Sequence, residues 1–205
     1  MHKNSYSKME WFKNTYLDTD KKLKILDVGS FDNEGNYNYS TIFNEKNWNY
    51  VGLDIQPGNN VDIVVGDIYN WFEIDDNTYD VVVSGQFFEH LEFFWLTMFQ
   101  IERVLKPGGY ICIIVPSNGP KHGGDMLNCY RFHEDGLKAM ARYANLDIIH
   151  VSVDKKEEAK PWNDACLVAH KSGQVLVENN VEFEQRISNL EDKLDTFLDS
   201  IQKKE

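Results

Sequence analysis

Only three cysteines and five prolines occur among the 205 residues. Cys112, Cys129 and Cys166 form no Cys-x-x-Cys pair and are odd in number. They read as reduced thiols, two of them in buried strands, and not as a disulfide or zinc framework. Basic residues are also in deficit: 21 Lys and Arg against 33 Asp and Glu leave a formal charge of −12. A nucleic-acid partner usually leaves a basic stripe, and here Lys and Arg are scattered, so neither a polyanion nor an anionic membrane surface is expected. No apolar run approaches the roughly 20 residues that cross a bilayer. Residues 1–20 are polar and aromatic with no apolar signal core, which makes the cytoplasm the expected location. Also missing is the Gly-x-Gly-x-x-Gly of dinucleotide-binding folds: Phe31 stands where its second glycine would be, and the next glycine is Gly35. A bulky ring there obstructs the close backbone approach that a diphosphate needs.

What is present suffices for one domain and an appendage. Hydrophobic residues make up 42% and aromatics 13%, enough to build a core. Runs rich in Val and Ile at 24–29, 50–55, 62–68, 79–84 and 110–115 read as strands. Residues 37–45 and 92–105 carry helical spacing between them, and the Lys106-Pro107-Gly108-Gly109 run ends the second helix. The alternation predicts a mostly parallel sheet covered on both faces. Residues 116–129, rich in Gly, Pro and Asn, read as a long loop; 134–145 as a helix; 147–154 and 165–170 as closing strands. The charged connection 155–164, with Pro161, reads as a surface turn. Three parts are expected: an N-terminal helical segment at 1–20, a main domain at 21–173 and a C-terminal helix at 180–203. Trp11, Phe12 and Tyr16 of the first either lid a cofactor pocket or pack in the core. In the last, Phe183, Ile187, Leu190, Leu194, Phe197 and Ile201 alternate spacings of four and three. That seam fits a parallel homodimeric coiled coil or an amphipathic helix folded on its own domain.

The first strand runs into Asp27-Val28-Gly29-Ser30-Phe31, where the chain must turn out of the sheet and Gly29 permits a backbone that a side chain would block. Ligands of open α/β sheets settle at these strand ends. Asp54, ending the second strand beside Ile55, can accept both hydroxyls of a ribose. Asp67, ending the third, can accept from an adenine amino group while the backbone N–H of Ile68 meets a ring nitrogen. Ser84, Gly85 and Gln86 end the fourth, where backbone carbonyls face the rest of such a ligand.

With these blocks, and with Glu89-His90-Leu91 and Val104-Leu105-Lys106-Pro107-Gly108-Gly109, the chain resembles class I S-adenosylmethionine-dependent methyltransferases over residues 24–171. The resemblance implies a doubly wound, Rossmann-like sheet of seven strands whose final strand, 165–170, runs antiparallel. It also implies S-adenosylmethionine as cofactor and S-adenosylhomocysteine as product. Asp27-Val28-Gly29-Ser30 leading to Asn33-Glu34-Gly35, with Tyr130-Arg131-Phe132, is similar to small methyltransferases associated with sugar and surface-polysaccharide modification. Phe31 departs from the usual glycine, and Asn128 stands where that subgroup carries an Asp.

Methyl transfer to a hydroxyl requires positioning and removal of a proton, for which imidazole is suited. The candidate catalytic residues are therefore His122, His90 and Asp125, the last able to orient an imidazole or act as base itself. Arg131 and His133 are the candidate substrate-binding residues. His122, Asp125 and His133 lack a recognised metal-ligand spacing, so no metal is expected. The expected function is O-methylation of a sugar hydroxyl on a glycan or nucleotide-sugar. The alternatives are O- or N-methylation of another small molecule, or a non-catalytic cofactor-binding module.

Overall fold

The computed structural model describes residues 3–32, 38–122, 124, 126–155 and 159–173. Seven strands form one sheet: β1 (Leu23–Val28), β2 (Trp48–Asp54), β3 (Ile63–Val64), β4 (Tyr79–Gly85), β5 (Leu105–Val115), β6 (Asp147–Val153) and β7 (Ala165–His170). Their order is β3-β2-β1-β4-β5-β7-β6. The first five run parallel, and β7 pairs antiparallel with both β5 and β6. The expected seven strands and antiparallel last strand are both present.

Strand residues alternate between two cores, as a period of two requires. Leu26, Val28, Val82, Ile111 and Ile113 enter one core, with α2 (Phe94–Val104) and α3 (Glu134–Tyr143) laid over it through Met98, Ile101, Leu137 and Met140. Ile25, Val81, Val83, Cys112 and Ile114 enter the other. That second face is covered by α1 (Lys3–Tyr16) through Met9 and Phe12, both fully buried. Burial of each such side chain contributes roughly 2 kcal/mol. Cys112 and Cys166 lie buried in strands, Cys129 is exposed, and none is paired.

Three local expectations change. Among described residues 38–45 the only helical element is a 3-10 turn at Tyr39–Thr41, not the helix read from the spacing. The buried Tyr39 hydroxyl sits 2.8 Å from Ser5 Oγ, so α1 already covers this face and Tyr39 wedges beneath it. The third strand shrinks to Ile63–Val64, and Asp67 forms only an isolated bridge with Asn70. The connection at 155–164 is no free surface turn where it is described. Ser117 and Asn118 donate their N–H groups to Trp162 O at 3.1 and 2.9 Å, and Asp164 is fully buried.

The order of strands places the chemistry. From β1 the chain builds outward to β2 and β3, then crosses back to β4, which pairs with β1 on its other side. The crevice beyond the carboxyl ends of β1 and β4 is the switch point where doubly wound folds take ligands. Among the described residues no helix is long and apolar enough to cross a membrane. The heptad seam at 183–201 lies outside the described residues.

Candidate active site

At the end of β1 the backbone turns at Gly29 with φ +79°, and its N–H donates to Leu53 O at 2.9 Å. A β-carbon there would lie 2.2 Å from the Phe87 ring, so both conformation and space require glycine. Ser30 follows, donating its N–H to the same carbonyl and its hydroxyl to Asn60 O at 2.7 Å. Asp27, inside the strand end, is buried and accepts a hydrogen bond from the Tyr50 hydroxyl, which Asn60 Nδ2 approaches at 2.9 Å. Burial pushes the Asp27 carboxyl up to about 7, with the nearby Asp54 adding to the rise.

Asp54 closes β2 with a carboxylate held in one orientation. Its Oδ1 accepts from Ile55 N at 2.7 Å and Gln56 N at 3.3 Å, and its Oδ2 from Phe31 N at 3.2 Å. Asp27, Gly29, Ser30, Phe31, Asp54 and Ile55 are thus brought together. Phe31 does not plug the turn: its ring lies against Gly58, where a β-carbon would meet it at 2.1 Å. Ile55 is about half exposed, 48%, an apolar surface beside the carboxylate. Val65 N donates to Asp54 O at 3.0 Å and carries the chain on to Asp67, which is exposed and accepts Tyr69 N at 2.9 Å. Ile68 is buried, its carbonyl taken by Trp71 Nε1 and Thr97 Oγ1.

On β4, Ser84 is engaged inward, donating its hydroxyl to Val28 O at 2.7 Å. Gly85 leaves room for Tyr39, whose hydroxyl would be 2.0 Å from a β-carbon. Gln86 leaves the strand at φ +57°, a left-handed conformation uncommon for a side-chain-bearing residue, and donates Nε2 to Asp164 Oδ1 at 3.2 Å. The 3-10 turn Phe88–His90 comes next.

That turn creates a cluster. Glu89 is fully buried, and among the described residues no other residue donates a hydrogen bond to either carboxylate oxygen. Burial pushes its carboxyl up to about 8, against the pull of its own backbone N–H and of the Arg131 guanidinium. Its Oε1 lies 3.6 Å from His90 Nε2. His90 Nδ1 is hydrogen-bonded to Leu127 O, and its ring centre is 5.2 Å from that of His122. His122 in turn packs against Trp162 at 4.5 Å between centroids and has Asn128 Nδ2 3.2 Å from its Nδ1. Arg131 fastens the loop beneath, donating to the carbonyls of Gly119, Pro120 and Tyr130, with its guanidinium over Trp162. Its Nη2 also approaches His122 Nδ1 at 3.4 Å, and none of these partners is a carboxylate. His133 does not join the group: it is exposed at the start of α3 and caps no N–H there. Asp125 lies outside the described residues.

Residues 26–113 match a family model described as a methyltransferase domain. That segment is similar to a methyltransferase domain, and the seven-stranded sheet has the Rossmann-like methyltransferase fold. No curated protein sequence matches the chain. Among solved structures it is similar to a SAM-dependent methyltransferase from Aquifex aeolicus, with TM-score 0.58, 16% identity, and coverage of 80% of this chain and 89% of the other. It is also similar to Burkholderia thailandensis 1,6-didemethyltoxoflavin-N1-methyltransferase with bound 1,6-didemethyltoxoflavin and S-adenosylhomocysteine, at TM-score 0.58 and 16% identity over 82% and 84% of the two chains. The [4+2]-cyclase SpnF shares the fold at TM-score 0.61 and 15% identity over 82% of each chain.

Three residues of this site were not singled out by the sequence. Glu89 was visible only as part of a motif; its apolar neighbours Phe87, Phe88 and Leu91 were the signal that its carboxylate would be buried. Trp162 and Asp164 carried no signal, because their place beside His122 and Gln86 arises from pairing between remote segments.

Proposed function

We propose that the chain is an S-adenosylmethionine-dependent methyltransferase that methylates a hydroxyl oxygen of a small polar acceptor, with a sugar hydroxyl of a glycan or nucleotide-sugar as the acceptor class. The observation that carries this reading is the convergence of His90, His122 and the buried Glu89 beyond the carboxyl end of β4. A hydroxyl must lose its proton as its oxygen attacks, and an imidazole titrating near neutrality takes it. His122 or His90 is the base. Asn128 and Arg131 hold His122 from its Nδ1 side, at 3.2 and 3.4 Å. The Tyr130-Arg131-Phe132 resemblance supports the sugar.

The switch-point residues fit S-adenosylmethionine, which when bound supplies an electrophilic methyl on a sulfonium sulfur. Asp54, already oriented by three backbone N–H groups, presents a carboxylate to the ribose hydroxyls. The exposed Asp67 carboxylate and the Ile68 N–H suit the adenine edge, and Ile55 offers its apolar flank. Gly29 lets the chain turn beneath Phe87 at the strand end, and the backbone carbonyls of Ser84, Gly85 and Gln86 suit the methionine end.

A second reading has its own support. Met126 and Leu127 are each more than half exposed, and the Leu127 carbonyl is bonded to His90, an apolar rim suited to a less polar O- or N-acceptor. Labelled methyl transfer to monosaccharides, nucleotide-sugars, phenols and amines separates the two. Transfer confined to amines would overturn the oxygen reading. Loss of a base typically lowers rate by about 10² to 10⁴; full activity in both His122→Ala and His90→Ala would remove the imidazole mechanism. The seam at 183–201 supports a homodimer, and a monomer in sedimentation at micromolar concentration would refute it.

A further inference from the structure

A surface helix ordinarily carries one apolar face, and α2 carries two. Inward, Met98, Ile101 and Val104 are buried in the core. Outward, Trp95, Leu96 and Phe99, with Phe93 just before the helix, are each exposed over more than a third of their surface. Apolar residues all round a helix call for cover on both sides. We propose that this outer face binds an uncharged apolar chain, alkyl or isoprenoid, carried by the molecule whose hydroxyl is methylated. That the chain belongs to the acceptor rests on the O-methyltransferase reading; the apolar binding face does not.

Two observations assign the occupant. First, the face is continuous with the catalytic end. β4 runs toward the crevice, and α2 returns from there to the start of β5, which is parallel to β4. Phe93, Trp95 and Leu96 therefore stand at the end of α2 where His90 lies. Leu127 O is bonded to His90 Nδ1, and Cys129 and Tyr130 donate their N–H groups to Glu89 O at 2.7 and 3.2 Å. Tyr130 donates its hydroxyl to Glu92 O at 2.7 Å, and Phe94 packs edge-on against Tyr130 and Trp95, at 5.1 and 5.2 Å between ring centres. Leu127, more than half exposed, thus begins a strip that runs through Phe93 and Trp95, 5.8 Å apart, to Phe99 one turn further along α2.

Second, the strip is poor in cations. Between Lys46 and Arg103 the sequence has no lysine or arginine, while Glu89 and Glu92 precede α2 and Glu102 lies near its end. Arg131, at the catalytic end, directs its N–H groups to carbonyl oxygens and to His122. A diphosphate-linked chain or an anionic headgroup would find no basic side chain from this stretch and would meet its carboxylates. An uncharged chain meets no such repulsion and gains by leaving water in proportion to the area it buries. The acceptor class narrows accordingly to a neutral glycoside with an apolar tail.

The test is calorimetric titration of hexyl, heptyl and octyl glucoside, each below its micelle-forming concentration, into the full chain. One saturable site per chain is expected, with affinity rising about two- to fourfold for each added methylene. Leu96→Ser combined with Phe99→Ser changes only outward-facing side chains and should flatten that rise. Leu127→Ser should weaken binding of all three glucosides, and Ile149→Ser, on the edge strand β6, should leave the series unchanged. Equal affinity for the three glucosides, an unaltered rise in the double variant, or uptake of many glucosides per chain would overturn the proposal. A wild-type dimer that the double variant dissociates would give the face to a second copy and overturn it too. So would cosedimentation with phosphatidylcholine vesicles that the double variant abolishes, which gives the face to a membrane. Binding is read without methyl transfer. A flat series leaves the O-methyltransferase reading standing, and a steep series with no transfer in the acceptor panel removes that reading alone.

Discussion

Gly29 and Phe87 touch so closely that a β-carbon on the glycine would fall 2.2 Å from the ring. Gly29 also holds φ at +79°, where a side chain is strained whatever the space. Gly29→Ala should therefore lose about 3 kcal/mol of stability, part from strain and part from overpacking. Urea denaturation measures it. Phe87→Ala in the Gly29→Ala background should recover the overpacking part only. Complete recovery would show that the backbone conformation imposes no strain.

The pH dependence of stability should carry the mark of Asp27. Its folded carboxyl sits at about 7, above its ordinary 3.8, because burial penalises the charge. The neutral form is favoured in the folded state. The stabilising contribution is thus complete below about pH 4 and is lost as pH rises through 7, by roughly 4 kcal/mol at the upper end. Thermal melts of the cofactor-free protein between pH 5 and 8 should show this decline, to which the buried Glu89 carboxyl adds, and Asp27→Asn should make it shallower without abolishing it. An Asp27→Asn curve parallel to that of the wild type would remove Asp27 as the cause.

Asp54→Asn keeps the size of the side chain but removes its charge and one acceptor. Hydrogen bonds to charged groups contribute about 1.5–3 kcal/mol, so S-adenosylhomocysteine should bind more than about tenfold more weakly. Calorimetry of the variant checks it. Unchanged affinity would eliminate the ribose role.

Arg103 joins α2 to the loop before β4. It donates to Ile74 O and Trp71 O, each at 2.8 Å, and to Gln100 Oε1 at 3.0 Å, and pairs with Asp76. Lysine cannot reproduce this planar fork, so Arg103→Lys should destabilise the protein by about 2 kcal/mol. The Asp76 side chain is largely exposed, and Asp76→Ala should change stability by less than about 1 kcal/mol. Denaturation midpoints of the two variants should separate accordingly; equal losses would mean that the ion pair dominates.

Legibility in the sequence followed locality. β1, β4 and β7 could be read because buried strands are continuous apolar runs, and α2 and α3 because their apolar residues recur at helical spacing. Asp27, Gly29, Ser30 and Asp54 were legible because each ends or follows such a strand. The helix expected at 37–45 failed where it is described, because Tyr39 is captured by α1 through Ser5. No local pattern encodes that contact.

The catalytic end divides in the same way. Chain order alone put His90 after the fourth strand and His122 in the loop after the fifth, as separate candidates with His122 first. Folding separated them from His133 and joined them to Glu89, Trp162 and Asp164. The amino-acid sequence determined the sheet, its two apolar faces and the acidic strand ends that suit an adenosine, since periodicity and turn chemistry act between near neighbours. Only the tertiary structure decided which ionisable groups share a site and that Glu89 is sealed from water. Burial and proximity there depend on residues up to tens of positions apart, brought together by the crossovers between strands.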